Sequence, residues 1–286
     1  MARAWVLNLD AEHELELGSR YTPSRELRAR VRAIGIALTP SLERGDVVID
    51  SDEPALDSAS FAPRAWCPTP RALAMLARAG VPIADAPGFE TLRAVNERGL
   101  AATLAGDELP GCLRATELET IRAHVARPGP SGEWLLKRAF GVAGRGQRPL
   151  HPGAISDADR AWIVASLRRG ALYVEPRVEI TRELSVHAWV ARGRVEVRSI
   201  REQRVQDRAW VGCELARDLP SEIENALIDT AERVGRALSG ARYHGPFGVD
   251  SYLWRTSSGA IAVRTLGEIN ARYCMGWDTR DGWDPP

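Results

Sequence analysis

Hydrophobic and polar residues alternate near the end of the chain in a pattern that is typical of an antiparallel β-hairpin. The alternation predicts strands over residues 247–254 and 260–270, joined by a loop of residues 255–259. In the register that puts the apolar side chains on one buried face, Asp250 faces Arg264. The other face then carries a row of side chains that can reach a ligand: Asp250, Arg264, Glu268 and Asn270.

The first ninety residues alternate between short apolar runs and amphipathic stretches, which predicts strands and helices packed as a small α/β layer. A buried strand is expected over residues 4–9 and a helix over 24–33. A second helix begins after Thr69 and ends at Gly80. The acidic residues between 10 and 16 are predicted to form a solvated turn without a functional role.

The middle and C-terminal parts continue with further helix and strand patterns. A helix over residues 89–104 precedes a strand over 133–137, a glycine-containing loop over 141–146 and a helix over 157–169. Further patterns predict a strand, a hairpin and a long amphipathic helix, over residues 171–178, 183–190 with 195–200, and 221–240. The sequence is therefore expected to fold as a mixed α/β protein.

Composition places the chain among ordinary globular proteins, with 44% hydrophobic and 27% charged residues over 286 positions. The formal net charge is zero, so no global field favours nucleic acid or an anionic membrane surface. No apolar run is long enough to cross a bilayer. The four cysteines are scattered without a metal-binding spacing, which indicates free thiols in a reducing compartment. We therefore expect a cytoplasmic protein that binds neither nucleic acid nor membranes.

One basic residue differs from all the others, since Lys137 is the only lysine among 38 lysines and arginines. A compact ammonium group can reach a phosphate through a narrow approach that a planar guanidinium cannot follow. Lys137 precedes the loop over residues 141–146, whose glycines can present backbone N–H groups to phosphates. In a P-loop the lysine closes the glycine motif instead, and the spacing here is not G-x-G-x-x-G. Taken alone, such a loop is equally compatible with a plain turn.

The final strand brings ligand-type side chains into one row, because residues two apart on a strand point the same way. Glu268 and Asn270 supply a carboxylate and an amide oxygen, which suit Mg²⁺, and Asp250 adds a second carboxylate across the hairpin. Arg272 continues the row and suits a phosphate or a carboxylate. The alternative is an exposed edge strand whose polar side chains are merely solvated.

The order and spacing of these features resemble those of the ATP-grasp superfamily, from about residue 90 to Cys274. The shared features are the lysine, the glycine loop, a strand ending in Glu175-Pro176-Arg177-Val178, a hairpin, a long helix and the final Glu268-Ile269-Asn270. D-alanine–D-alanine ligase and biotin carboxylase share the E-x-N pattern. The carboxylase type adds an arginine where Arg272 stands.

The resemblance implies an α/β (α+β) fold in which two antiparallel-sheet subdomains clamp ATP. An N-terminal α/β domain of residues 1–92 would precede a central subdomain of residues 93–173 that contains the glycine loop. A C-terminal subdomain of residues 174–286 would carry the metal site.

The resemblance also implies a role for each residue that matches the family's motifs. The phosphates would be bound by the lysine, the loop glycines and an arginine in the place of an earlier family lysine: Lys137, Gly141, Gly144, Gly146 and Arg98. The adenine would lie beside a hinge of residues 175–178, with Glu175 taking its amino group and Val178 next to its edge. Glu183 would bind the ribose. The magnesium ligands would be Asp250, Glu268 and Asn270, and Arg272 would steady the phosphoryl group together with Lys137.

The activity that the resemblance implies is an ATP- and Mg²⁺-dependent carboxylate–amine ligation. A small-molecule or peptide carboxylate would be activated as an acyl phosphate and attacked by an amine, which gives a C–N bond, ADP and phosphate. Arg198 and Arg201, at the end of the predicted hairpin, are candidates for contacting a substrate anion. Two alternatives stay open: a module that binds or senses ATP without turnover, and a kinase that stops at phosphoryl transfer. The oligomeric state is also open, with a homodimer as one arrangement.

Overall fold

The computed structural model describes most of the chain: residues 1–38, 42–50, 56–57, 59–106, 108–130, 132–141, 146–206 and 209–277. Over these residues the chain forms three β-sheets, one parallel and two antiparallel, with helices packed against them. The mixed α/β fold class that the sequence predicts is therefore confirmed. Within the same ranges, no helix combines the length and the apolar character that crossing a membrane requires.

The N-terminal part is a small parallel sheet flanked by helices, as the alternation of the first ninety residues predicts. Its elements are β1 (Ala2–Val6), α1 (Ala11–Leu17), a 3-10 helix (Gly18–Arg20), α2 (Arg25–Leu38), β2 (Val47–Val48), β3 (Phe61–Ala65) and α3 (Pro70–Arg78). Strand β1 lies in the centre and pairs in parallel with β2 and β3. Successive residues of β1 face opposite sides, so Val6 joins one apolar core and Trp5 joins another.

The predicted solvated turn after β1 is wrong, because Asp10, Glu12 and Glu14 lie on or next to helix α1 and are buried. Asp10 and Glu14 both pair with Arg71, at 2.5 and 3.4 Å, and Glu12 pairs with Arg272. A buried carboxylate requires a partner of this kind, since an unpaired charge away from water is costly. The partners are remote in the sequence, so the local charge pattern gave no sign of them.

The central part begins with two helices and continues into a four-stranded antiparallel sheet. Its elements are α4 (Phe89–Asn96), α5 (Arg98–Ala105), β4 (Leu113–Ala115), α6 (Leu118–Val125), β5 (Trp134–Arg138), β6 (Gln147–Leu150), α7 (Asp157–Leu167) and β7 (Leu172–Pro176), in the strand order β4-β7-β5-β6. Alternate residues of β5 and β7, such as Leu136 and Val174, pack against α6 and α7 in an apolar core. The opposite face of these strands carries Lys137 and Glu175.

The helix predicted over residues 89–104 is interrupted at Glu97. This residue adopts an extended conformation, with φ −73° and ψ 133°, so α4 ends before it and α5 begins after it. The break places Arg98 at the first position of α5, where its backbone N–H donates to the carbonyl of Ala139 (3.1 Å). Arg98 is thereby brought to the residues that follow β5.

The C-terminal part is a five-stranded antiparallel sheet with a long helix on its back. Its elements are β8 (Glu179–Ala191), β9 (Arg194–Gln206), β10 (Ala209–Leu215), α8 (Ser221–Gly240), β11 (Gly245–Arg255) and β12 (Ile261–Asn270), in the order β10-β9-β8-β11-β12. Both predicted hairpins are present, and β10 is an additional strand. Apolar side chains of the inner strands, such as Val186 and Val249, pack with Leu227 and Val234 of α8. We call the opposite face of this sheet the open face.

The hairpin of β11 and β12 has a different register from the predicted one. Asp250 lies opposite Glu268 rather than opposite Arg264, and Arg264 lies opposite Tyr252. The polar side chains nevertheless share the open face, because Asn270 Nδ2 donates to Asp250 (2.9 Å). The predicted set of residues is therefore brought together, in a register that the sequence did not reveal.

A β-bulge in β12 explains the shifted register. Three residues of β12 and only one of β11 lie between the two ladder pairs. Glu108 holds the bulge, since its carboxylate accepts hydrogen bonds from the backbone N–H groups of Thr265 (2.9 Å) and Leu266 (3.0 Å). Gly267 suits this position, because a Cβ would lie 3.0 Å from the carbonyl oxygen of Asp250, which is closer than most Cβ contacts.

The three sheets follow the order of the three subdomains expected from the sequence, 1–92, 93–173 and 174–286. That division stays a proposal. Two of its boundaries fall inside elements, since residue 92 lies in α4 and residue 173 lies in β7. The ends of these elements are more natural limits, because each element contributes to one continuous core.

Candidate functional site

Most of the candidate site residues lie where two sheet faces approach each other, and we call this region the cleft. One wall is the face of the four-stranded sheet that carries Lys137 and Glu175, and the other wall is the open face. Arg264 reaches across from β12 and donates to Glu175 (3.2 Å), so the walls are in direct contact at this point. The cleft therefore joins side chains that the sequence placed on separate elements.

Glu175 is a buried carboxylate held between two cations. Lys137 Nζ lies 2.5 Å from one of its oxygens, and the Arg264 guanidinium lies 3.2 Å from each oxygen. Burial alone would raise the pKa of Glu175, but Lys137 and Arg264 outweigh burial and lower the pKa to about 2. Glu175 is therefore ionised at neutral pH, and the protein itself neutralises this end of the cleft.

Arg98 links the two walls from the start of α5. Its Nε donates to the backbone carbonyl of Arg138 (3.2 Å), and its Nη2 donates to Glu268 (3.0 Å). The residue is buried, and its Nη1 has no hydrogen-bond partner among the residues described. A buried guanidinium N–H without an acceptor is costly, and an anionic oxygen would satisfy it. The position therefore suits a contact with a phosphate group.

Three oxygen-bearing side chains meet on the open face: Asp250, Glu268 and Asn270. One oxygen of Asp250 accepts from Asn270 (2.9 Å), and the other accepts from Ser185 (2.9 Å) and Gln203 (3.1 Å). Burial, and then the neighbouring Glu268 carboxylate, raise the pKa of Asp250 to about 6. A divalent cation would relieve the repulsion between these carboxylates, so the donor set fits Mg²⁺.

The composition of this set indicates what kind of metal binding it suits. Over the described ranges, no group of three or more His, Cys, Asp or Glu side chains is arranged to hold a metal ion. The set instead offers two carboxylates and one amide oxygen, and that oxygen accepts from Arg272 (2.9 Å). Mg²⁺ typically uses one or two carboxylates and completes its shell with water and substrate phosphates. The arrangement therefore suits magnesium that arrives with a phosphate ligand.

Arg272 follows the end of β12 and connects the open face to the N-terminal part. Its Nη2 donates to Asn270 and to the carboxylate of Glu12, and its Nη1 donates to the carbonyl of Tyr273 (3.1 Å). Burial alone would lower the pKa of Arg272, but Glu12 raises it well above the usual range. The guanidinium therefore stays charged beside the candidate metal ligands. It extends from a turn, since β12 ends at Asn270.

The glycine loop lies partly outside the described residues, which include Gly141 and Gly146 but not Gly144. Gly146 has φ +81°, a conformation that favours glycine, and its carbonyl accepts from the N–H of Arg138 (2.9 Å). The two ends of the loop are therefore joined as a hairpin. The loop begins four residues after Lys137, beside the cleft.

The hinge predicted over residues 175–178 lies between the two sheets, with Val178 directly before β8. Glu175 directs its carboxylate towards the two cations described above. The adenine contact that the resemblance implies for this residue stays a prediction. Glu183 lies on β8 opposite Tyr252, and burial raises its pKa. Glu183 is thus on the open face, on the side of the cleft nearest the hinge.

One ladder row crosses the open face from the candidate metal ligands to a candidate substrate contact. In register across β12, β11, β8 and β9 lie Glu268, Asp250, Ser185 and Arg201. Neighbouring strands are about 4.8 Å apart, so the backbones at Asp250 and Arg201 are separated by about 10 Å. A ligand between them would meet a cation site at one end and a guanidinium at the other.

Arg198 and Arg201 also create a positive environment around His187. Burial, followed by the charges of Arg201 and Arg198, lowers the pKa of His187 to about 3. The imidazole is therefore neutral, and it stacks on Trp277 with ring centres 5.2 Å apart. The two arginines remain candidates for contacting a substrate anion.

Sequence reasoning missed several contributors to the cleft. Arg264 was placed on the correct face, but its pairing with Glu175 depends on how the two sheets pack. Ser185 lies two residues after Glu183 on β8, and strand alternation predicts the same face for both. Glu12 has no comparable signal, because its partner Arg272 is near the other end of the chain.

Comparison with known proteins shows similarity of fold without close sequence relatives. No family model and no curated protein matches the sequence. N5-carboxyaminoimidazole synthetase from Staphylococcus aureus, solved with ADP, is 12% identical with a TM-score of 0.54, over 96% of this chain and 71% of that chain. D-alanyl-alanine synthetase A from Vibrio cholerae is 17% identical with a TM-score of 0.53, over 94% and 89%.

A third solved structure, D-cycloserine synthetase, is 16% identical with a TM-score of 0.52, and the alignment covers 96% of this chain and 92% of that one. All three neighbours are ATP-grasp enzymes. At such low identities the likeness concerns the fold, and the activity has to be argued from the residues in the cleft.

Proposed function

The chain has the ATP-grasp fold, and from this premise we propose that it is an ATP- and Mg²⁺-dependent carboxylate–amine ligase. It activates a small-molecule or peptide carboxylate by phosphoryl transfer from ATP and then joins the acyl group to an amine, releasing ADP and phosphate. Its proposed location is the cytoplasm. Solved neighbours of the same fold contain ADP or ATP, which supports the choice of nucleotide.

One observation carries this proposal: side chains that suit phosphate and side chains that suit magnesium come together in the cleft from different elements. Lys137 and Arg98 lie on or beside the first wall, and Asp250 and Glu268 lie on the second. Phosphoryl transfer consists mainly of positioning and charge neutralisation, so this distribution of charges is what the reaction requires. A protein that recognised only adenine and ribose would have no need for the second wall.

Each residue of the cleft has a role in this scheme. Lys137 and the unsatisfied Nη1 of Arg98 bind phosphate oxygens, and the loop with Gly141 and Gly146 covers them. Asp250, Glu268 and Asn270 would hold magnesium, which would supply positive charge to neutralise the phosphates. Arg272 takes up charge that develops on the transferring phosphoryl group, and Arg201 contacts the substrate acid. The adenine and ribose lie near Val178 and Glu183.

The ligase proposal is tested by combining wild-type protein with ATP, Mg²⁺ and a panel of amino acids and peptides as acids and amines. ADP release is measured by a coupled assay, and hydroxylamine is added to trap an acyl phosphate as a hydroxamate. We expect ADP release that depends on the acid, and a hydroxamate with the correct acid. A phosphorylated product that persists without amine dependence would indicate a kinase. ATP binding without ADP release across the panel would indicate a sensing module.

Glu268→Gln tests the metal wall in the same assay. The variant keeps the size of the side chain but removes one of two negative charges from the candidate ligand set, so the Mg²⁺-dependent rate should fall on the order of a hundredfold. The matched control is Glu179→Gln, on the exposed start of β8 in the same sheet, where the carboxylate pairs with Arg255 (3.2 Å). The control should keep the wild-type rate. An unchanged magnesium dependence in Glu268→Gln would place the ligands elsewhere.

A further inference from the structure

The guanidinium of Arg272 is shared between two parts of the protein that are distant in sequence. Its Nη2 donates to Asn270 Oδ1 (2.9 Å) on the open face and also to the carboxylate of Glu12 on helix α1. Glu12 is buried and lies in the first turn of that helix. A charge-assisted hydrogen bond of this kind is stronger and more directional than a neutral one.

The backbone on both sides of Arg272 is fixed independently of Glu12. The N–H of Ala271 donates to Asn96 Oδ1 (2.9 Å), and the N–H of Tyr273 donates to the carbonyl of Trp66 (3.0 Å). The main-chain position of residue 272 is therefore set by other contacts. The direction in which the Arg272 side chain points is then set by Glu12, which accepts from Nη2, and by the carbonyl of Tyr273, which accepts from Nη1 (3.1 Å).

Other acceptors for that side chain lie close by. Asn270 donates to Asp250, which faces Glu268 across the hairpin, so the two carboxylates lie next to the amide that Arg272 contacts. Among the described residues, Arg272 donates no hydrogen bond to Asp250 or Glu268. The side chains that donate to Asp250 are neutral. A guanidinium released from Glu12 would be attracted to these carboxylates, and it would then compete with a cation for them.

We propose that Glu12 is a positioning residue that holds Arg272 on Asn270 and away from Asp250 and Glu268, so that these carboxylates remain able to bind magnesium with the nucleotide. This inference rests on the proposed function, because it assumes that the open face binds magnesium with ATP. It assigns to the N-terminal helix α1 a direct part in setting the geometry of the metal end of the cleft. Glu12 itself does not touch the reacting groups; it acts through Arg272.

The test measures nucleotide binding, which does not require the unidentified acid and amine. The β,γ-imido analogue of ATP is titrated into wild-type and Glu12→Gln protein by calorimetry over a series of Mg²⁺ concentrations. Mg²⁺ should increase the affinity for the analogue, and the Mg²⁺ concentration that gives half of this increase should be about tenfold higher in Glu12→Gln. The affinity without Mg²⁺ should stay within about twofold of the wild type. Equal Mg²⁺ dependence in the two proteins would overturn the inference.

Removal of the competing guanidinium provides a second, sharper readout. If Glu12 acts through Arg272, the double variant Glu12→Gln/Arg272→Gln should regain the Mg²⁺ dependence of analogue binding to within about twofold of the wild type. A general structural defect would also lower the affinity for the analogue without Mg²⁺, whereas competition by the guanidinium changes only the Mg²⁺ dependence. Failure of the double variant to recover, with the single variant impaired, would therefore overturn the inference.

Asp10→Asn is the matched control. Asp10 is a buried acid next to the same helix and pairs with Arg71 (2.5 Å), with no contact to Arg272. Its Mg²⁺ dependence should equal that of the wild type, and the same defect as in Glu12→Gln would overturn the inference.

If Glu12→Gln does not fold, Glu12→Asp keeps the charge and withdraws it by one methylene, and it should raise the required Mg²⁺ concentration by a smaller factor. A wild type that binds no analogue under any condition would instead refute the proposed function.

Discussion

Glu175 and Asp250 are carboxylates on opposite walls of one cleft, and their surroundings shift their pKa values in opposite directions. Glu175 lies between Lys137 and Arg264, which lower its pKa to about 2 in spite of burial. Asp250 receives hydrogen bonds from neutral groups and faces Glu268, and burial and that charge raise its pKa to about 6. A carboxylate on one wall is thus neutralised by neighbouring cations, whereas a carboxylate on the other wall is repelled by a second carboxylate.

This difference indicates what each wall is suited to bind. The wall with Glu175 carries its own counter-charges, so this carboxylate stabilises the arrangement of Lys137 and Arg264 around it. On the other wall, Asp250 and Glu268 place two carboxylates next to each other, so an added cation there lowers the free energy of the pair. Mutations that neutralise each carboxylate should therefore change the stability of the protein with opposite signs.

Glu175→Gln should destabilise the protein by about 3–5 kcal/mol, because it leaves two largely buried cations, Lys137 and Arg264, without their carboxylate. Urea denaturation at pH 7 provides the free energy of unfolding. Glu133→Gln is the control, since Glu133 pairs with the exposed Arg177 (2.5 Å) and should change stability by less than about 1 kcal/mol. A similarly small loss of stability in Glu175→Gln would mean that water already hydrates the charges of Lys137, Glu175 and Arg264.

The pH dependence of this contribution has a definite sign. The folded pKa of Glu175, about 2, lies below the ordinary pKa of 4.5, so its stabilising effect is complete above pH 4.5. The effect is lost as pH falls from 4.5 towards 2. The stability difference between wild type and Glu175→Gln should therefore shrink over this range, and a difference that stays constant would contradict the assignment.

Lys137→Ala should weaken ATP binding by about 2–3 kcal/mol, the usual scale for losing a charge-assisted hydrogen bond in a shielded site. Lys137→Arg should also bind poorly, because a planar guanidinium cannot occupy the position of the ammonium 2.5 Å from Glu175 and reach the same phosphate oxygens. Titration calorimetry measures both affinities. Arg148→Ala, on the adjacent strand and paired with Asp159 (2.6 Å), should retain wild-type affinity. Normal affinity in either Lys137 variant would remove this residue from the site.

Asp250→Asn should stabilise the metal-free protein by about 1 kcal/mol at pH 8, the opposite sign to Glu175→Gln. A pKa of about 6 for Asp250 in place of 3.8 corresponds to about 3 kcal/mol of destabilisation by the ionised group. Removing the charge restores less than this, because Asp250 is partly exposed and the variant loses an acceptor for Asn270. The folded pKa of Asp250 lies above the ordinary pKa of 3.8, so its ionisation destabilises the fold as pH rises from about 4 through 6. The advantage of the variant should disappear below pH 4.

Urea denaturation in the presence of a chelator measures this effect, and exposed Asp229→Asn on α8 should lie within about 0.5 kcal/mol of wild type. Added Mg²⁺ with the ATP analogue should stabilise the wild type and have a smaller effect on Asp250→Asn. An Asp250→Asn variant that is less stable than the wild type at pH 8 would show that the carboxylates do not repel each other significantly.

Local patterns were sufficient to place the candidate side chains on particular faces. Alternation along residues 260–270 put Glu268 and Asn270 on one side, and the single lysine marked the strand next to the glycine loop. These inferences depend on periodicity, which is a property of each segment alone. The order of the elements and their spacing were likewise enough to indicate the fold.

The register of the β11–β12 hairpin and the contact partners of the site residues depend on tertiary packing instead. The sequence predicted that Asp250 faces Arg264, whereas a bulge held by Glu108 moves Glu268 to that position. Glu108 is remote from the hairpin in sequence, so a local pattern contains no information about its contact. The helix over residues 89–104 likewise broke at Glu97, and this places Arg98 between the two walls.

By itself, therefore, the sequence determined which residues could act, and the tertiary structure alone decided which of them meet. Glu12 was assigned to a solvated turn because its neighbours are charged, yet it is buried against Arg272, near the other end of the chain. Glu175 was expected to contact a nucleotide, which stays a prediction, and its position between Lys137 and Arg264 was decided by the packing of the two sheets. The physical reason is that the free energy of a buried charge depends on groups brought near it by packing, and these groups come from anywhere along the chain.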